Sequence, residues 1–332
     1  MKNNRLSWID FAKVISICLV TSFHTQPPLT GYVAQVIQIL RLPAFFLVAG
    51  FLFDDNKFTS FISFLKHRAK QLLIPYFCFE AIVIVFLCSS WQERQEAIIN
   101  ALLGHPNKCM PLWFLVCLFG MQLIHYLCIQ IIQAITKKNW KSYSYPLLIC
   151  YIFICLLFSS FNITNHGQLN AIITNLPFYA IANCCKDKIR GIDWNQYLRI
   201  SCCLFIGLFI IFIKYNYLQE SSEWQAGTIY YLVHLTGGIL LLPPYIATCK
   251  LFGKMFGNVR LIEYLGSNTI VILALHTYFI QLIGYFTDND TLTSFPWLNP
   301  CITLCIVIAH IPIIWLINKT VPWILGRRLT YH

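Results

Sequence analysis

Apolar residues recur in long blocks from residue 9 to residue 325, with only short polar gaps between them. An α-helix needs about 20 mostly apolar residues to cross the hydrocarbon core of a bilayer. By that measure ten blocks are candidate spans, near residues 9–24, 32–53, 72–90, 110–135, 145–160, 168–184, 198–217, 227–249, 267–286 and 300–325. Asn162, Asn165, His166 and Asn170 shorten the fifth and sixth. The pattern predicts an all-α, polytopic integral membrane protein of about ten transmembrane helices, with residues 1–332 forming one domain. The first block ends in SFHTQPP, which lacks the small-x-small site of a cleaved signal, so it reads as a retained helix.

Composition agrees: 58% of residues are hydrophobic and 11% charged, with mean hydropathy +0.63, far from the soluble globular range. Lysine and arginine set the orientation, because short cytoplasmic loops are the basic ones. With the N-terminus inside, the inner segments MKNNR, DDNKFTSFISFLKHRAK, TKKNWKSYS, KDKIRGIDWNQYLR, KLFGKMFGNVRLIE and GRRLTYH are all basic. The outer segments set Arg94, Lys108 and Lys214 against Glu93, Glu96, Glu220, Glu223, Asp288 and Asp290. Both termini are therefore expected in the cytoplasm. The net charge of +11 reads as a topology signal and not as a nucleic-acid footprint. The 15 cysteines sit singly or as adjacent pairs with no C-x-x-C, as small hydrophobes do, so neither a disulfide framework nor a metal site is expected. No internal repeat marks the chain as an inverted-repeat transporter.

Eight ionisable residues fall inside the expected spans: Lys13, His24, Arg41, Glu80, His125, His234, His276 and His310. Such groups are costly in lipid and mark sites or pathways. Lys13 is close enough to the cytoplasmic surface to snorkel. Arg41 is ~15 Å from either surface, and Glu80 offers it a structural partner. His125, His234 and His310 read as hydrogen-bonded interior histidines. The first span is the most informative. Lys13 and His24 are 11 residues apart, which at about 100° per residue places them within about 20° on one helix face, separated by a rise of ~16 Å. Asp10 lies within about 60° of Lys13. A cation at the entrance and a titratable base at depth suit a ligand with an anionic head and a long neutral arm, the shape of coenzyme A. A secondary transporter coupling protons through Glu80 and His276 is the alternative, and a non-catalytic scaffold a third.

RLSWIDFAKVISICLVTSFH resembles the first-helix signature of the membrane acyltransferase-3 family, with Arg5, Asp10, Lys13 and His24 in its order. Lys13 stands where many members have arginine. RLPAFFLVAGFLF, from Arg41, is similar to the family's Pro-x-Phe-Phe segment, with Ala49 before Gly50 where many members have serine. FLKHRAKQLLIPYF resembles the basic run into a Pro-Tyr third helix, with Arg68 and Pro75 in register. PLWFLVCLFG, with Trp113, and LGSNTIVILALH, ending in His276, resemble later elements, the second that of the sugar O-acetylase branch.

The resemblance implies an acyl-CoA-dependent O-acyltransferase in a bacterial inner membrane. It would move an acyl group, most often acetyl, to a hydroxyl of a cell-surface glycan or its lipid-linked precursor. Acyl-CoA would be a co-substrate, no bound cofactor is expected, and the extra esterase-like domain of some relatives is not expected. Chemistry then suggests roles. His24 is the candidate base and Arg41 the candidate stabiliser of the oxyanion. Lys13 and Arg68 would hold phosphates, and Asp10 would orient Lys13 or meet the adenosine end. Glu80, Trp113, Asn268 and His276 are candidates for substrate contact or proton relay. Transfer could be direct or pass through an acetyl-histidine. Trp91, Trp224 and Trp297 would anchor at the interface or stack on a sugar.

Overall fold

The computed structural model describes residues 6–107, 109–160, 168–217, 228–286 and 295–327. Arg5, Trp224, Lys108 and the outer loop residues 287–294 lie outside the described residues. Among the described residues there are helices and turns but no strand. In chain order the α-helices are α1 (Ser7–His24), α2 (Gly31–Leu52), α3 (Phe61–Arg68), α4 (Ile74–Leu87), α5 (Trp91–Leu102), α6 (Trp113–Thr136), α7 (Ser144–Ser160), α8 (Leu169–Cys184), α9 (Lys186–Gly191), α10 (Tyr197–Tyr217), α11 (Thr228–Phe256), α12 (Arg260–Ser267), α13 (Thr269–Phe286), α14 (Leu298–Ala309) and α15 (Ile311–Thr320).

Every one of the ten expected blocks is helical, and eight are long and apolar enough to cross a membrane. The two that are not are α1 and α8. Polar side chains dilute α1, and α8 has only 16 residues. Their place in the bundle explains both. α1 packs against α2, α11, α12, α13 and α14, and α8 against α2, α6 and α7. A helix surrounded by other helices meets protein on most sides, so Asp10, Ser16, Thr21 and Ser22 on α1 and Asn175 and Asn183 on α8 are buried within protein and not in lipid. The outer helices show the reverse pattern. Phe205, Ile206 and Phe209 on α10, Ile149 and Phe153 on α7, and Val85 and Phe86 on α4 are large, apolar and exposed, as a lipid-facing surface requires.

Close approach and hydrogen bonds fix the central helices. A Cβ at Gly50 would run into the Tyr179 carbonyl, so this glycine lets α2 lie directly against α8. The Tyr245 hydroxyl on α11 donates to the Ala12 carbonyl at 2.6 Å and accepts from the Ser16 hydroxyl at 2.8 Å, joining α11 to the middle of α1. Between α3 and α4, residues Ala69–Leu73 form a π-helical turn. Pro75 follows it; a proline ring crowds the carbonyl four residues earlier, here that of Gln71, and widening the turn relieves the crowding. After α15 a short 3-10 turn, Pro322–Leu325, ends at Gly326, whose φ is +69°. Its missing side chain allows contact with the Lys70 carbonyl, so the end of the described chain seats on the π-helical turn.

Candidate active site

Two groups of the expected residues come together, at different levels of the same helices. The first surrounds a cavity of about 360 Å³ near the start of α1. Lys13 from α1, Arg68 from the end of α3 and Arg327 beyond α15 bring three cations to its wall. Phe45, Phe114, Leu118 and Leu273 make its apolar side, and Ala49 adds a methyl. No carboxylate lines it among the described residues. Asp10 does not line it either; that side chain is buried where α1 meets Gly266 of α12.

Neutral groups hold the two guanidiniums. Arg68 donates to the Gln71 side-chain oxygen at 3.0 Å, and its buried Nε has no partner. Arg327 donates to the side-chain oxygens of Asn268 at 2.8 Å and Asn318 at 2.5 Å, and to the Ser267 carbonyl at 2.5 Å. Burial moves the Arg327 pKa below the usual guanidinium value, but an arginine starts so high that it remains a cation at neutral pH. Gln122, also on the wall, is buried with its side-chain oxygen unpartnered.

The second group lies farther along the same helices. On α2, Arg41 is one turn before Phe45; on α13, His276 is one turn beyond Leu273; on α1, His24 stands ~16 Å past Lys13 by helix rise. The His24 and His276 rings are 5.5 Å apart between centroids, tilted by 46°. His24 is exposed, whereas His276 is fully buried. The His276 Nδ1 faces the carbonyls of Ile272 and Leu273, each at 3.0 Å, so it must be the protonated nitrogen. Its Nε2 is then an acceptor, and it has no partner. Arg41 lies with its guanidinium 3.5 Å above the Phe23 ring, next to His24, a cation–π contact. Its Nε is unpartnered.

Asn299 of α14 fixes the end of α1 that carries His24. Its amide donates to the carbonyls of Ser22, Thr25 and Pro27 at 3.0, 3.1 and 2.8 Å, and its oxygen accepts from the Ser22 hydroxyl at 2.6 Å. Carbonyls at a helix C-terminus have no intrahelical partner, and here a buried side chain of another helix supplies one.

Other candidates stand apart from both groups. Glu80 does not pair with Arg41. One of its carboxylate oxygens accepts from the Asn107 backbone N–H at 3.2 Å and side-chain amide at 2.9 Å. Equal depth in two spans made that pair plausible, but the faces of the helices decide contact. Trp113 begins α6 and makes an edge contact with Phe114, 6.4 Å between ring centroids. Asn268 caps the end of α12 and turns to Arg327, two helical turns from His276. His125 has both ring nitrogens bonded, to Tyr151 at 3.2 Å and Asn183 at 3.1 Å, and is an interior structural histidine. His310 sits at the bend between α14 and α15, with Nδ1 2.7 Å from the Ile306 carbonyl. Trp91 and Trp297 are exposed at helix starts.

Sequence reasoning passed over Arg327, Gln122 and Asn299. A glutamine inside the fourth apolar block was a readable signal for Gln122, while Asn299 falls just before the tenth block and Arg327 was counted only towards the charge of an inner segment.

The family model for acyltransferase-3, described as an acyltransferase domain, matches residues 6–319. The chain belongs to the acyltransferase-3 family. It is thus a multi-pass membrane acyltransferase, which takes an acyl donor and an acceptor. No curated protein and no solved structure matches it. Among the described residues, the cation-lined cavity and the histidine–arginine group are two places where polar groups gather.

Proposed function

We propose that this acyltransferase takes an acetyl group from acetyl-CoA on the cytoplasmic side of a bacterial inner membrane and places it on a hydroxyl of a cell-surface glycan or its lipid-linked precursor. One observation carries the reading: α1, α2 and α13 each contribute to the cation-lined cavity through Lys13, Phe45 and Leu273, and further along to the His24–Arg41–His276 group. Phosphates would rest on Lys13 and Arg68, where charge-assisted bonds are strong. A pantetheine arm would run along the apolar wall past Phe45 and Leu273, with the unpartnered Gln122 oxygen free to accept an amide N–H.

At the far end His24 accepts the proton of the acceptor hydroxyl as its oxygen bonds to the thioester carbonyl carbon. Arg41 offers a fixed positive charge beside the forming oxyanion. The C–S bond then breaks, and His24 returns the proton to the leaving sulfur. His276 has the acceptor nitrogen to receive a hydrogen bond from His24 once that ring is doubly protonated, the part an orienting carboxylate plays in other sites. His24 is exposed, so an acceptor can reach it without crossing the cavity. Glu80 and Trp113 are candidates for acceptor contact.

Transfer of labelled acetyl from acetyl-CoA is the test, in membranes with matched amounts of wild type and His24→Ala. The expected result is labelled glycan or glycolipid with wild type and a loss of about 10²- to 10⁴-fold in the variant, the range for a general base. Equal transfer by both would remove His24 from the chemistry. Transfer from a different acyl donor alone would overturn the acetyl-CoA assignment.

A further inference from the structure

Arg327 lies beyond residues 6–319, the part of the chain that matches the family, yet it reaches the same cavity as Lys13 and Arg68. Three features show that it is placed there by construction. Gly326, at φ +69°, lies so close to the Lys70 carbonyl that a Cβ there would overlap it, so the chain end docks on the π-helical turn that follows Arg68. A side chain at Gly326 would collide with that carbonyl and lift Arg327 away. Next, three bonds to Asn268, Asn318 and Ser267 hold the guanidinium from two different helices and the turn between α12 and α13. Finally, all three acceptors are neutral oxygens, and among the described residues neither Arg327 nor Arg68 meets a carboxylate. The fork is fixed while its charge is left for something else.

The cavity itself points to an anion. Its wall has three cations and no carboxylate among the described residues. It also carries two buried polar atoms with no partner, the Arg68 Nε and the Gln122 side-chain oxygen. Leaving such atoms unbonded is costly, and a ligand with both phosphate oxygens and amide N–H groups would satisfy them.

We propose that Arg327 is the third phosphate-binding cation of the acyl-donor site, held in place by Asn268 and Asn318, so that the turn after α15 forms one wall of that site. The proposal rests on the donor reading given above. It also assigns Asn268 a positioning role at the donor end, in place of a role beside His276. Arg327 spans the gap between α12–α13 and the π-helical turn, so a bound phosphate would join those elements.

Binding and turnover in nanodiscs test this with wild type, Arg327→Gln and Arg327→Lys. The probes are CoA, inorganic pyrophosphate and, as a donor without phosphodiester or nucleotide phosphates, S-acetylpantetheine. Loss of one charge-assisted contact predicts about a tenfold rise in Kd for CoA and in KM for acetyl-CoA, with kcat within about twofold. Turnover of S-acetylpantetheine should be unchanged. Arg327→Lys should recover only part of the affinity, because an ammonium cannot reproduce the held fork. An unchanged CoA Kd in Arg327→Gln overturns the proposal. So does an equal loss with S-acetylpantetheine, which would mean the residue only supports the fold. If Arg327→Gln fails to assemble, Arg327→Lys carries the test, and a CoA affinity equal to wild type overturns it. Arg327-dependent binding of pyrophosphate, without CoA binding or acetyl transfer, would keep the anion site and remove the donor reading.

Discussion

The two polar regions use charge in opposite ways. At the cavity, the two arginines are held by neutral amide and carbonyl oxygens and keep their charge for a ligand. At the far end the chemistry rests on imidazoles, one exposed and one fully buried with a single protonated nitrogen, beside one arginine on an aromatic ring. The cavity is assembled from distant parts of the chain, α1, the end of α3 and the turn after α15. The histidine group combines His24 at the end of α1, which Asn299 anchors, with Arg41 and His276 inside α2 and α13. Long-range attraction tolerates small displacements, whereas proton transfer and oxyanion stabilisation require hydrogen-bond geometry. Affinity and rate should therefore separate when each region is altered in turn.

The sharpest break comes from Arg41→Gln. Glutamine retains donors but loses the charge beside His24, and removal of one preorganised oxyanion donor lowers kcat by about 10²- to 10³-fold. KM for the donor should stay within about twofold, because Arg41 is at the far end and does not line the cavity. Steady-state kinetics with matched protein decide it. A change confined to KM would move Arg41 into donor binding and collapse the contrast between the two ends.

Asn299→Leu is expected to have a smaller effect, by a different route. Leucine fills a similar volume but removes the side-chain donor of the Thr25 and Pro27 carbonyls and leaves the Ser22 carbonyl with only the Thr25 N–H at 3.3 Å. Unsatisfied buried acceptors cost about 1–3 kcal/mol, and the end of α1 should fray where His24 begins. The expectation is about a tenfold lower kcat, a lower thermal midpoint and unchanged CoA affinity. An equal loss of CoA affinity would show that the far end and the cavity are one mechanical unit.

Much of this division could be read along the chain, because it depends on local periodicity. The stripe from Lys13 to His24 follows from 100° per residue on one helix, and each of the ten apolar blocks is helical, eight of them long and apolar enough to cross a membrane. What escaped depends on azimuth and on contacts between distant segments. Glu80 was a partner for Arg41 by sequence, but Asn107 from outside the spans bonds one of its carboxylate oxygens instead. The neighbour of His24 proved to be His276, fixed by how α13 packs beside α1. Arg327 could not be placed without knowing that Gly326 turns the chain onto the Lys70 carbonyl. Central position also explains α1 and α8: helices enclosed by others need neither full length nor full apolarity.

The gentlest probe is salt. The screening length falls from ~10 Å at 0.1 M to ~3 Å at 1 M ionic strength. Raising salt from about 0.05 to 0.5 M should weaken attraction between the cavity and an anionic donor, lifting KM for the donor a few-fold. At saturating donor, kcat should hold, because the far end depends on short contacts within hydrogen-bond distance, which screening weakens little. Arg68→Gln sharpens the reading. With one cation fewer at the cavity, KM starts higher and rises less steeply with salt, while kcat again holds. A KM that ignores salt in both proteins would mean that the three cations bind through fixed hydrogen bonds alone. Parallel salt dependence of kcat would mean instead that the far end is also open to ions, and the assignment of affinity to one region and rate to the other would fail.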